Sequence, residues 1–158
     1  MENKMNTLIS DSDLPLNEHD INQIRAMVNY PVPSEYIDFI KRYNGGIPEP
    51  DSFNIQKIND ASTINRFLGI KKEKNQNSDI FYFYKVYKDR IPSEYLPIAY
   101  DVGGNLILIK LGNNDDAKVF FWDHELEVDE SVEPTLENIY PLADSINDFL
   151  SSLFLIEV

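Results

Sequence analysis

The stretch that most limits what this chain can fold into is Pro97–Leu111, PIAYDVGGNLILIKL, where two apolar runs are separated by a glycine pair and an asparagine. NLILIKL is short, rich in isoleucine and leucine, and bounded on its far side by GNNDD, a cluster of turn formers, so it reads as a strand. LPIAY before it and AKVFFWDHELEVD after it read the same way, and three such runs in succession make an antiparallel meander. Gly103-Gly104 could instead cradle a phosphate, but such a loop should open a helix whose N-terminal amides hold the anion. Here a strand comes next, which favours a hairpin turn. Asp101 and Asn105 flank that turn with short polar side chains suited to bonding local amides.

Helical periodicity appears around the meander. Ile21, Ile24 and Val28 recur within Asn17 to Asn29, and Pro31 ends the run. Pro33 and Ser34 open a second helix with Tyr36, Ile40 and Tyr43 on one face, and Asn44-Gly45-Gly46 supplies residues that accept a left-handed cap. Ile80, Phe83, Tyr84 and Tyr87 have helical spacing within the aromatic DIFYFYKVYKDRI, and ADSINDFLSSLF carries Ile146, Phe149, Leu150 and Leu153 on one stripe. SFNIQKI and INRFLGI read as short strands, and KKEKNQNS as a polar loop. PSEY occurs twice, but the residues after each copy do not match, so no repeat is expected. The expectation is one α+β domain over residues 1–158, a largely antiparallel sheet with helices packed around it, with its core at about 17–153 and an N-terminal extension at 1–16.

Charge and cysteine count exclude several functions. With no cysteine there is no disulfide, zinc-thiolate site or thiol nucleophile, and a reducing cytoplasm is the expected setting. No segment approaches the roughly 20 apolar residues of a membrane span. The net charge of -13 opposes nucleic-acid binding, which needs clustered Lys and Arg. The acidity is regional: up to Lys118 there are 17 acidic and 14 basic residues, whereas Val119–Val158 holds 10 acidic and none basic. Such a field steers basic proteins towards it.

WDHE, Trp122 to Glu125, invites a metal or acid–base reading, but on a strand His124 points away from Asp123 and Glu125, and His19 has no partner spacing that suggests zinc. No cofactor or metal is expected. The same strand parity puts Asp123, Glu125, Glu127 and Asp129 on one face, roughly 6.6 Å apart, with Glu130, Glu133 and Glu137 just beyond. This ladder is either a solvated strand face or a contact surface for a basic partner.

VPSEYIDFIKRYNGG, RFLGI, LPIAYDVGGNLILIKL, KVFFWDHE and LADSINDFLSSL together resemble, in order and spacing, the SUKH superfamily, in the branch named after the yeast cell-wall-assembly regulator. The resemblance runs from about Tyr30 to Leu153 and rests on Asn44, Gly45 and Gly46, on Asp101, Gly103, Gly104 and Asn105, and on Trp122, Asp123, Ser145 and Phe149. It implies a non-enzymatic α+β domain that in bacteria usually serves as the immunity protein of a polymorphic toxin system and binds a toxin domain, often a nuclease. The matching motifs read as structural, so the partner surface is expected outside them, in the acidic stretch. The alternative carried by eukaryotic relatives is a regulatory interaction module in signalling or wall assembly.

Overall fold

The computed structural model describes residues 7–71, 78–127 and 133–156. In chain order the elements are β1 (Leu8–Ser10), α1 (Glu18–Met27), α2 (Ser34–Arg42), β2 (Ile47–Glu49), β3 (Ser52–Ile55), β4 (Asp60–Phe67), α3 (Ile80–Tyr87), β5 (Tyr95–Asp101), β6 (Leu106–Lys110), β7 (Val119–Trp122), β8 (Ile139–Ala143) and α4 (Ile146–Ser152). Strands β3 to β8 form one antiparallel sheet in sequence order, and β1 pairs with β2 in a separate ribbon. This is an α+β domain, as the sequence leads one to expect. The first strand lies within the stretch read from the sequence as an N-terminal extension.

The central strands are apolar through their middles, on both faces, because both faces of the sheet are covered. Along β6, Ile107 and Ile109 enter the main core with Ile21 and Ile24 of α1, Tyr36 and Ile40 of α2, and Phe149 and Leu150 of α4. Leu106 and Leu108 point the other way, into a second cluster with Tyr95, Trp122 and Ile139. Helix α3 closes over that cluster. Phe83 stacks on Tyr100 with ring centroids 5.3 Å apart, and Tyr87 meets Trp122 edge-on at 5.6 Å. Its outer side, Tyr82, Lys85 and Val86, is exposed, so the helical spacing read from Ile80, Phe83, Tyr84 and Tyr87 is the spacing of the buried stripe. The sheet also curls: edge strands β3 and β8 come into contact, and the Phe53 and Phe121 rings lie 5.9 Å apart. Phe154 bridges to Ser52, N–H to carbonyl in both directions, and so covers part of the β3 edge.

The structure corrects three local readings. SFNIQKI is a strand only to Ile55; a 3-10 turn at Gln56–Ile58 comes next, closed by Asn59 at φ 53°. Helix α2 stops at Arg42, with Tyr43 as an extended C-cap, so Asn44-Gly45-Gly46 is not a left-handed cap. The buried Asn44 side chain is instead a strut: its carbonyl accepts from Ile70 N–H at 2.7 Å, and its amide donates to the carbonyls of Leu14 and Ile70 at 2.8 and 2.9 Å. Gly46, at φ 132°, lets the N-terminal segment approach, since a Cβ there would lie 2.6 Å from the Ser10 carbonyl. The third correction is the end of β7, which stops at Trp122 rather than running on through the acidic residues. Strand β8 has no counterpart among the strands expected from the sequence.

Glu35 ties the helices to the meander. Its carboxylate accepts from the backbone amides of Ala117, Ile146 and Asn147 at 2.8 to 3.0 Å, and thereby also holds the first turn of α4. Ser145 caps the same helix by accepting from Asp148 N–H. One buried group is left over: the Tyr36 hydroxyl is fully enclosed without a hydrogen-bond partner among the described residues, and burial pushes its phenol far above the usual tyrosine range. A buried unsatisfied polar group is destabilising by about 1–3 kcal/mol. Tyr36→Phe is therefore expected to stabilise the fold by roughly 1 kcal/mol, a Tm gain of about 2–4 °C for a domain of this size. Thermal or urea denaturation reads the sign; a loss of stability would show that the hydroxyl has a partner.

Candidate functional site: one end of the sheet as a protein-interaction surface

The acidic segment and the glycine hairpin meet at one end of the sheet. Leu106, the first residue of β6, is opposite both Tyr100 and Trp122, and Trp122 is opposite Ile139. The β5–β6 turn, the segment after β7 and the segment before β8 therefore leave the sheet on the same side. Hydrogen bonds join them. The buried Asp101 carboxylate accepts from the amides of Gly103 and Asn105, the Asn105 side chain and the Ser62 hydroxyl, at 2.7 to 3.0 Å. The side-chain carbonyl of Asn105 accepts from His124 N–H at 3.0 Å, and His124 Nε2 lies 3.0 Å from the Gly103 carbonyl. Asp123 and Asn138 exchange two bonds, Asp123 N–H to the Asn138 carbonyl and the Asn138 amide to the Asp123 carbonyl.

Gly103-Gly104 is thus a hairpin turn, with Gly104 at φ 89°. The Gly103 and Asn105 amides donate to Asp101, and no helix begins there to favour a phosphate. The residues attributed to the fold in this motif, Asp101, Gly103, Gly104 and Asn105, also position the segment after β7.

That segment is not a strand. β7 ends at Trp122, and His124–Leu126 is a 3-10 turn whose N-cap Asp123 accepts from Glu125 N–H at 3.0 Å. The change of backbone at Asp123 abolishes the expected parity, so Asp123, Glu125 and Glu127 do not form a strand-face ladder. Asp123 is occupied with the cap. Glu127 is occupied more firmly: Arg90, just beyond α3, donates Nε and Nη2 to its two oxygens at 2.6 and 2.8 Å. The same guanidinium lies 4.5 Å from the Tyr87 ring centroid and 5.7 Å from that of Trp122. Asp129 and Glu130 lie outside the described residues. Glu125, Glu133 and Glu137 are exposed, and their carboxylates form no ion pair among the described residues.

Sequence reasoning missed the apolar members of this surface. Val102 on the hairpin, Leu126 on the 3-10 turn and Leu136 before β8 are 66%, 57% and 58% exposed. Their signal was present as single aliphatic residues inside turn-forming or acidic stretches, where no periodicity calls for them. A separate cavity of about 250 Å³ lies between α2 and α4, with Phe39, Ile146 and Leu150 below and Asp38 and Arg42 at its rim. No group of three or more His, Asp or Glu side chains suited to a metal occurs among the described residues. No helix among them is long and apolar enough to cross a membrane.

Adding a Cβ at Gly104 would place it 3.3 Å from His124 Nε2 and force an L-residue to a positive φ. Gly104→Val is expected to destabilise the fold by more than about 1 kcal/mol. Chemical denaturation measures this; a variant that melts like the parent would show that the turn tolerates a side chain at positive φ.

Comparison with known proteins adds two findings. The family described as SMI1 / KNR4 family (SUKH-1) matches residues 15–152. The chain is also similar to the SPbeta prophage-derived uncharacterized protein YokK of Bacillus subtilis (strain 168), at 25% identity over 150 residues, taking in 84% of this chain and 72% of that one.

Proposed function

The chain belongs to the SMI1/KNR4 family (SUKH-1), and on that premise we propose that it is an immunity protein, which binds a cognate toxin domain and blocks its active site with an acidic surface. Proteins of this family are commonly immunity or regulatory modules without enzymatic activity. The observation that carries the proposal is the charge at one end of the sheet: Glu125, Glu133 and Glu137 are exposed there without cationic partners among the described residues, in a stretch from Val119 to Val158 that contains no Lys or Arg. A toxin that cleaves nucleic acid must be basic where it holds phosphates, and carboxylates compete for that groove. The prophage origin of the relative in Bacillus subtilis is in keeping with a gene that travels beside its toxin.

The mechanism needs speed as well as affinity. Complementary charge raises association to about 10⁸ M⁻¹s⁻¹ or more, against about 10⁵–10⁶ for a neutral pair. Glu127 contributes little to that field because Arg90 neutralises it at 2.6 Å. Among the described residues, steering therefore falls to Glu125, Glu133 and Glu137.

Reversing these three to Lys is expected to slow association with a cognate toxin domain, sought among the genes next to this one, by at least about 10-fold at low salt. The fold should melt unchanged, since none of the three side chains holds another element. Association of the parent protein should also drop between about 50 and 500 mM salt, as the Debye length contracts from roughly 14 Å to roughly 4 Å. Surface plasmon resonance or stopped flow measures both; equal rates for parent and triple variant at every salt concentration would remove the electrostatic role.

A further inference from the structure

We propose that the tight contact with the toxin is made by the apolar residues Val102, Leu126 and Leu136, and that the surrounding carboxylates serve approach rather than retention. The inference rests on the immunity reading and deepens it, because it names the anchor and the partner chemistry that fits it: a protein surface with an apolar recess rimmed by Lys or Arg.

Three observations lead there. First, the three aliphatic side chains are each more than half exposed, on three different turns at one end of the sheet. A single exposed leucine means nothing, whereas several on adjoining turns mark a contact patch. Second, the turns are fastened before any partner arrives. Asp101 and Asn105 tie the hairpin that carries Val102 to His124, and the Asp123–Asn138 exchange ties the turn carrying Leu126 to the segment carrying Leu136. Arg90 clamps the far side of the 3-10 turn through Glu127 while lying against Tyr87 and Trp122, whose rings belong to the second core cluster. A patch held this way loses little conformational freedom on binding, so its apolar burial is converted efficiently into affinity.

Third, charge selects the occupant. Leu126 stands beside Glu125 and Leu136 beside Glu137, and no Lys or Arg occurs anywhere after Lys118. A neutral or acidic apolar surface would have to desolvate these carboxylates without compensation, whereas a basic rim pairs with them. The exposed side of α3 has a different setting, since Tyr82 and Val86 lie among Lys85, Lys88 and Asp89. It therefore suits a different class of partner and serves as the internal comparison. Arg90 is a positioning residue in this scheme: it contacts the toxin only through the turn that it holds.

The test separates the two kinetic constants and uses the full chain with the toxin domain sought among the genes next to this one. Leu126→Ser and Leu136→Ser are expected to raise the dissociation rate by at least about 10-fold with association within about 2-fold of the parent. Glu125→Lys should do the reverse, and Tyr82→Ser should change neither. Thermal melts confirm that these exposed positions leave the fold intact. Hydrogen exchange supplies a readout independent of mutation: binding should protect the amides of 102–105 and 124–127. If both serine variants dissociate as slowly as the parent, or if protection falls on α3 instead, the anchor assignment is wrong while the immunity reading stands. If the parent neither binds nor protects cells from that toxin, both fall together.

Discussion

The surface at the hairpin end depends on one buried charge. Asp101 is 2% exposed and has no cation beside it among the described residues, a situation that would ordinarily be strongly destabilising for a carboxylate. Four donors converge on it instead, two backbone amides, an amide side chain and a hydroxyl, and hydrogen bonds to a charged group are the strong ones. The donors come from two parts of the chain, Ser62 on β4 and Gly103 and Asn105 on the hairpin, so the carboxylate fastens the hairpin to the sheet. Asn105 then passes the constraint on, donating its amide to Asp101 and accepting His124 N–H with its carbonyl. The geometry of the 3-10 turn after β7 is therefore set largely by a residue on the far side of the hairpin, at the end of β5.

Two-sided burial explains which parts of the fold were legible. Ile107 and Ile109 feed one core and Leu106 and Leu108 the other, so β6 has no polar alternation, and its uninterrupted apolar run between turn formers leaves little choice but a strand. Helix α3 was legible for a related reason: only a 3.6-residue period places Ile80, Phe83, Tyr84 and Tyr87 together on one side. Strand β8 was not legible because IYPLA is five residues long and carries Pro141, which argues against a ladder unless the position tolerates a missing donor; β8 is an edge strand. The β1–β2 ribbon has three residues per strand, too few for any pattern to register.

The candidate site was legible as composition and illegible as geometry. Counting charges locates an acidic stretch, but parity along a strand fails once the backbone turns, and the turn begins at Asp123 through a local side-chain cap onto Glu125 N–H, a bond that competes with the strand ladder. The pairing of Glu127 with Arg90 was beyond reach for another reason. The two are 37 positions apart, and nothing in either neighbourhood announces the other; only the packing of α3 across the second face of the sheet brings them together.

That pairing changes the sense of the acidic region. A ladder of four like charges would store repulsion along a strand and need a partner to relieve it. The folded chain relieves part of it internally, committing Asp123 to a cap and Glu127 to an arginine held between two aromatic rings. What remains outward among the described residues is fewer charges, with aliphatic side chains exposed on the same turns. On the proposed immunity reading such a surface divides its labour: screened, long-range attraction acts while the partners are apart, and apolar burial acts only at contact. Because the scaffold residues Asp101, Asn105 and Arg90 hold the turns while Glu125, Leu126, Leu136 and Glu137 hold nothing else among the described residues, the outward set is free to change without unfolding the domain. If the proposed immunity role holds, that separation lets the residues that choose the partner vary while those that build the platform stay fixed.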